Sequence, residues 1–325
     1  MLGAPRSRCT ARSYFYLHES AGFFSGPSQA RELPARLGLA AVSLFTLSAL
    51  FTKLGVAPPF FRYWVADVYE GSPAIVTVFL SVVVRVAVFF VLAKVLAPPL
   101  APCAAAARPV LVVVSALSIT AGCLGALFQK RIKRLLAYSS INNAGYGLAG
   151  LAVGNAEGLQ AGLSYIVFYS ASLLLLFVVI LGCGSGGRPP IVYVVDLKNL
   201  RSNKSMAMPV VFSATLFSFA GMPPLTGFWV KFFVLSALVT EKLYLLAFVG
   251  ALASVVGSFY YVSLIKVLLF EERCPGDGAS QGPNGAAAAL ASALSLVVFA
   301  YALAPGPVNS YFFALAGSVL CPLAR

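Results

Sequence analysis

"SFAGMPPLTGFWVKFF", residues 218–233, decides how this chain is read. It lies in a long apolar stretch, yet it holds Gly221, Gly227, the pair Pro223–Pro224 and Lys231. A helix that only had to fill a bilayer would avoid all of them. Proline inside a helix removes a hydrogen bond and clashes with the preceding turn, at roughly 3 kcal/mol. A lysine at mid-membrane depth costs at least about 2.5 kcal/mol more. The stretch reads as an interrupted membrane helix with a cation beside the interruption.

The rest of the chain fits a membrane. Its 325 residues are 60% hydrophobic and only 10% charged, against about 25% charged in an ordinary globular protein. Runs of roughly 20 apolar residues, each long enough to span a bilayer, recur from Leu37 to the C-terminal region. The fold class is all-α, a polytopic membrane protein. The spans fall roughly at 37–66, 74–97, 109–128, 132–153, 158–182, 206–240, 243–270 and 284–304, with a short apolar segment near 309–321. That makes about eight crossings. Two of them, 37–66 and 206–240, are too long for one straight helix across ~30 Å, and each contains a Pro-Pro pair.

The 23 Lys and Arg against 10 Asp and Glu give a net charge of +13. Nucleic acid is not the implied partner, because the positive residues lie mostly in short loops, where membrane orientation accounts for them. Arg62, Lys130, Arg131, Lys133, Arg134, Arg188, Lys198, Arg201, Lys204 and Arg273 fall on one side. Arg108, Lys242 and Arg325 fall on the other, so the first side faces the matrix or cytoplasm. Residues 1–36 form a polar basic tail whose first acid is Glu19; its arginines fall on the opposite side, against the rule. An arginine-bearing, acid-poor start of this kind is typical of organellar import signals, and an ordinary tail is the other reading.

Six scattered cysteines and a single histidine, His18 in the tail, assemble no zinc, iron–sulfur or haem set. No metal or cofactor is expected, and no electron transfer by this chain. "GCGSGG" at 182–187 has the spacing of a dinucleotide fingerprint but follows a membrane span, not a strand, and reads as a loop.

"APPFFRYW" (57–64) repeats the pattern of "MPPLTGFW" (222–229): two prolines, then an aromatic and a tryptophan. Each copy lies in an over-long span with a lysine nearby, Lys53 before the first break and Lys231 after the second. Duplicated broken helices are a recurring device of transporters. A break frees backbone polar groups at membrane depth, tolerated only in a protein interior or facing water. A lysine in such a pocket, its ammonium form penalised by burial, can give up and regain a proton. Arg85 sits mid-span in "VTVFLSVVVRVAVFFVL", and Lys266 towards the positive end of 243–270, where snorkelling to the interface is an equal explanation. Ser139, Ser140, Asn142, Asn143, Ser164, Tyr165, Tyr169 and Ser170 add polar groups that either line the same track or join helices.

"KLGVAPPFFRYWVADVYEGSPAIVTVFLS", "QKRIKRLLAYSSINNAGYGLAGL" and "SFAGMPPLTGFWVKFFV" resemble the antiporter-like membrane subunits of respiratory complex I, nearest to the second-subunit branch of the mitochondrial enzyme. The resemblance covers about residues 40–270. It implies two inverted five-helix repeats, each with one broken helix. Residues 37–97 would be part of the first repeat and 109–270 the second, with a C-terminal helix and tail at 284–325. It also implies that Lys53, Arg85, Lys231 and Lys266 carry proton translocation while NADH oxidation and ubiquinone reduction occur in other subunits. Three departures stand out: an extended segment after Lys53, no histidine at Phe61–Arg62 or Asn143, and no helices ahead of the first break.

The expected function is that of a truncated or split proton-translocating subunit of the membrane arm, in the mitochondrial inner membrane. Its partners would be other membrane-arm subunits, lipids and a companion chain bringing the absent helices with a carboxylate for Lys53. The alternatives are a cation/proton antiporter subunit and a non-pumping scaffold.

Overall fold

With no water in a bilayer core, each segment must satisfy its own backbone groups, and helices do so. The computed structural model describes residues 47–55, 63–96, 101–184, 192–200, 207–271 and 285–320, and these are helical apart from short connections. In order they are α1 (47–54), α2 (Tyr63–Gly71), α3 (74–95), α4 (Ala101–Leu127), α5 (Ile132–Val153) and α6 (Ala156–Gly184). A 3₁₀ turn, Val194–Leu200, precedes α7 (Ala207–Ala220), α8 (Thr226–Thr240), α9 (Tyr244–Phe270), α10 (Gly285–Leu303) and α11 (Pro305–Leu320). The basic tail, the first Pro-Pro pair and residues 185–187 of the glycine-rich loop lie outside the described residues.

Helix α5 is the axis of the bundle. Nearly every residue from Leu135 to Val153 is buried, including Ser139, Ser140, Asn142 and Asn143. It packs between α4 and α6, and small residues allow the approach: a Cβ on Gly150 would meet the backbone of Gly162 on α6. Two core clusters flank it. One holds Tyr146, Tyr165, Phe219, Val230 and Tyr261, and the other Leu47, Phe51, Phe89, Leu148 and Ile166.

The described helix ends that precede the two Pro-Pro pairs are alike. Helix α1 ends at Gly55 with φ +72° and α7 at Gly221 with φ +84°, a left-handed conformation in which a Cβ is costly. At 14 and 15 residues, α7 and α8 reach only about 21–23 Å each at 1.5 Å per residue. Helices 74–94, 108–127, 156–182 and 244–270 are each long and apolar enough to cross a membrane. The eight expected spans are thus of different kinds. Helix α5 is 22 residues long but polar, α7 and α8 are halves, and the segment near 309–321 is α11, bent 93° from α10. Inside α3, Leu80–Val84 forms a π-helical turn immediately before Arg85, a local widening common at functional sites.

Charged residues gather at the two ends. At one, Arg131 pairs with Glu70, Arg134 bonds Asp67 at 2.8 Å, and Lys133 donates to the Ser72 carbonyl. At the other, Arg108 reaches Glu241 at 3.2 Å and Asn155 bonds the same carboxylate.

Candidate functional site

An α-helix leaves its last four carbonyls without intrahelical partners, and at the α7 break all four can be traced. Phe217 O accepts from the N–H groups of Gly221 and Met222, and Ser218 O from Gly221. This is the Schellman arrangement that a left-handed glycine permits. Phe219 O and Ala220 O remain, and both accept from Lys231 Nζ, at 2.7 and 3.4 Å. The lysine comes from α8, beyond the break, and is only 8% exposed. The break thus supplies the oxygen ligands that a buried ammonium needs. The negative end of the α7 dipole points at the same group.

The two half-helices are joined directly. Ser218 Oγ accepts from Gly227 N at 3.0 Å, satisfying a donor at the start of α8. Thr226 Oγ1 donates to Val298 O on α10, which anchors that start from the far side. A Cβ on Gly227 would fall on the Ser218 carbonyl, so only glycine permits this approach.

Around Lys231 the surroundings are polar but not acidic. Its Nζ lies 5.9 Å from the centroid of the Tyr146 ring, and its hydrogen bonds go to carbonyls. Beside it is a cavity of about 20 Å³ bordered by Asn143, Tyr165, Tyr169, Ser218 and Thr226. That is room for one water, with several polar partners within reach. Tyr165 donates to Asn143 Oδ1 at 2.6 Å, and Asn143 Nδ2 donates to Ser139 O at 2.7 Å. Ser139 Oγ in turn bonds the Tyr261 hydroxyl.

Arg85 meets α5 at Ser140, one residue on from Ser139. It is 3% exposed and forks onto Ser140 O (3.1 Å), Ser140 Oγ (2.9 Å) and Tyr69 Oη (3.3 Å). Ser140 Oγ donates in turn to Ala137 O, so the hydrogen bonds of Arg85 and those of the cavity end on adjacent residues of α5, Ser140 and Ser139, without a bond between the two sets. Lys53 and Lys266 are not part of this arrangement: both are exposed, on α1 and α9. Of the remaining polar residues read from sequence, Ser164 and Ser170 are buried on α6, and Ser164 bonds only its own helix. Sequence reading missed Tyr146, Tyr261, Ser218, Thr226 and the two carbonyls. The visible signal was Gly221 before the proline pair.

The fork sets an expected result for Arg85. An arginine fork is not reproduced by the single point donor of lysine. Arg85→Lys is expected to lose either the Ser140 or the Tyr69 connection, at about 1–3 kcal/mol. Reduced retention of the chain in membranes after mild heating would show it, with Tyr69→Phe as the smaller reference change. Retention equal to the parent in Arg85→Lys would mean that charge alone matters there.

The family model described as NADH:quinone oxidoreductase/Mrp antiporter, transmembrane, matches residues 12–257. NADH-quinone oxidoreductase subunit N of Sphingopyxis alaskensis is 37% identical over 284 residues, 87% of this chain and 59% of the relative. The chain spans about half to three fifths of the length of such relatives. Among solved structures, a chain of respiratory complex I from Thermus thermophilus with bound aureothin is similar at TM-score 0.71 and 29% identity, over 94% of this chain and 66% of that one. A chain of the Mrp complex from a Dietzia species shares the fold at TM-score 0.74 and 21% identity, over 87% of this chain and 60% of that one.

Proposed function

This chain belongs to the NADH:quinone oxidoreductase/Mrp antiporter transmembrane family, and from that premise we propose that it is a proton-translocating, antiporter-like subunit in the membrane arm of a complex I. The observation that carries the reading is Lys231 held on the freed carbonyls of a broken helix beside a water-sized cavity. An amine in that position can pass a proton to one water and take another back. Tyr165, Asn143 and Ser139 form a neutral hydrogen-bonded group beside the cavity, and Arg85, held on the adjacent Ser140, acts as a fixed charge since guanidinium does not deprotonate. NADH oxidation belongs to other subunits, and the relative of subunit-N type supports that division.

Residues 37–97 and 109–270 are assigned to two antiporter-type repeats, supported by the matching helix ends at Gly55 and Gly221. In this reading Lys53 belongs to the first repeat, and its exposed side chain faces a neighbouring helix that carries a carboxylate. Lys266, near the end of α9, anchors that helix at the interface. The membrane is an energy-transducing one. Its mitochondrial version rests on the basic, acid-poor residues 1–36, whereas the relatives compared are bacterial.

The test is affinity purification in mild detergent. Other complex I membrane-arm subunits are expected to co-purify in stoichiometric amount, and proton transport by the isolated assembly is expected to stop with a quinone-site inhibitor. Inhibitor-insensitive proton transport coupled to sodium or potassium would instead favour a cation/proton antiporter.

A further inference from the structure

Two sequence motifs, "DVYEG" (67–71) and "KRIKR" (130–134), meet at the basic end of the bundle. Helix α2 has only nine residues, too few for a helix to persist without tertiary packing. Asp67 and Glu70 are three residues apart and share one face, and that acidic face meets the start of α5. Arg134 Nη2 lies 2.8 Å from Asp67 Oδ1, and its Nε lies 3.1 Å from Glu70 Oε2. Arg131 pairs with Glu70, and Lys133 Nζ donates to Ser72 O at 2.9 Å. Beneath these charges Val65, Ala66 and Tyr69 pack against Ala137 and Ile141 of α5.

Tyr69 carries this docking inward. Its hydroxyl oxygen accepts from Arg85 Nη2 at 3.3 Å, and the same nitrogen donates to Ser140 Oγ at 2.9 Å. Both protons of that nitrogen are thereby used, one on α2 and one on α5. Removing the Tyr69 hydroxyl, or lifting α2, leaves a buried charged N–H without its acceptor. Such a group is costly, so the guanidinium moves to find another partner.

The ion pairs that dock α2 are in contact with water: the side chains of Asp67, Arg131 and Arg134 are each at least 40% exposed. Pairs so placed are weak singly and are screened by salt, yet together they orient a nine-residue helix. Resting on the fixed-charge role proposed for Arg85, we propose that Tyr69 is a positioning residue for Arg85, and that the ion pairs between α2 and α5 are a salt-sensitive latch that keeps Tyr69 in place. The placement of a buried charge is thereby set from the water-exposed end of the bundle, by Asp67, Glu70, Arg131 and Arg134.

The experiment compares assembled complexes carrying Asp67→Asn with Glu70→Gln, Tyr69→Phe alone, or all three changes, with protons translocated per NADH oxidised measured in proteoliposomes. The double change and Tyr69→Phe are each expected to lower the ratio roughly threefold, the scale of one weak hydrogen bond. The triple change is expected to lower it no further, because changes acting through one contact are not additive. Effects that multiply, or a parent-level ratio in either variant, would overturn the proposal. Arg85→Met in parallel separates the two failures. A parent-level ratio there removes the fixed-charge reading, whereas a lowered ratio there with a parent-level ratio in Tyr69→Phe removes only the role of Tyr69. A second readout does not depend on pumping. Val65→Cys, beneath the latch, is labelled in sealed vesicles by a membrane-impermeant methanethiosulfonate added on the basic side, with the parent chain as background. Labelling is expected to be roughly tenfold faster with Asp67→Asn and Glu70→Gln than without them, equivalent to about 1.4 kcal/mol of docking, and faster at raised ionic strength only when both acids are present. Labelling that neither the substitutions nor salt alters would overturn the latch.

Discussion

Lys231→Ala is expected to assemble normally and to lose NADH-driven proton pumping by roughly 10²-fold, the scale of removing a positioned proton-transfer group. Assembly survives because the change deletes the buried charge together with its ligands' partner. Phe219 O and Ala220 O lose a donor, which alone costs about 1–3 kcal/mol each. The vacated lysine volume adjoins a cavity already large enough for water, so water replaces the ammonium at the carbonyls. Lys231→Arg should also impair pumping, since guanidinium stays charged throughout the working range and is larger than the space beside Gly221, whose added Cβ would already lie 3.2 Å from the lysine chain. Subunit content by native electrophoresis and acidification of vesicles by a pH-sensitive dye check both variants. Parent-level pumping by a fully assembled Lys231→Ala complex would remove the lysine from the mechanism.

The second large effect is structural. Gly227→Leu is expected to abolish stable incorporation of the chain, because the new side chain starts on the Ser218 carbonyl and separates the two half-helices. Backbone displacement of this kind belongs with the changes that exceed about 4 kcal/mol. The bond from Gly227 N to Ser218 Oγ and the anchoring of Thr226 on Val298 O would be lost together. Gly306→Ala at the start of α11, where a Cβ meets open space, is the matched control and should incorporate at parent level. Immunoblots of membranes for chain abundance decide it. Normal abundance of Gly227→Leu would show that the halves are not held by this contact.

Much of the fold could be read from apolar run length and from prolines, because a bilayer admits few structures. The broken span at 206–240 was visible because Pro223, Pro224 and Lys231 are each expensive in a membrane helix, and their coincidence has few explanations. The site was less legible. That Lys231 would bind α7 carbonyls from the far side of the break depends on the chain folding back at Gly221, a tertiary fact that spacing does not encode. Tyr146 and Tyr261 were hidden because tyrosine is common in apolar helices, and only packing distinguishes a core ring from one that faces a cation. Arg85 was read only as a cation in the middle of a span. Its three hydrogen bonds to Ser140 and Tyr69 depend on packing of α2, α3 and α5 that charge counting does not describe.

The central claim is that an amine at the α7 break exchanges protons during turnover, and chemical restoration of the amine tests it most directly. Lys231→Cys places a thiol in the same site, and treatment with 2-bromoethylamine extends it to a side chain that differs from lysine by one sulfur in place of one methylene. Protons translocated per NADH oxidised are then measured in proteoliposomes, with modification at position 231 verified by mass spectrometry and the parent complex treated in parallel. A ratio far below the parent is expected for Lys231→Cys, with recovery after aminoethylation and no change in the treated parent. A parent-level ratio before treatment, or no recovery in verified aminoethylated complex, would contradict the claim.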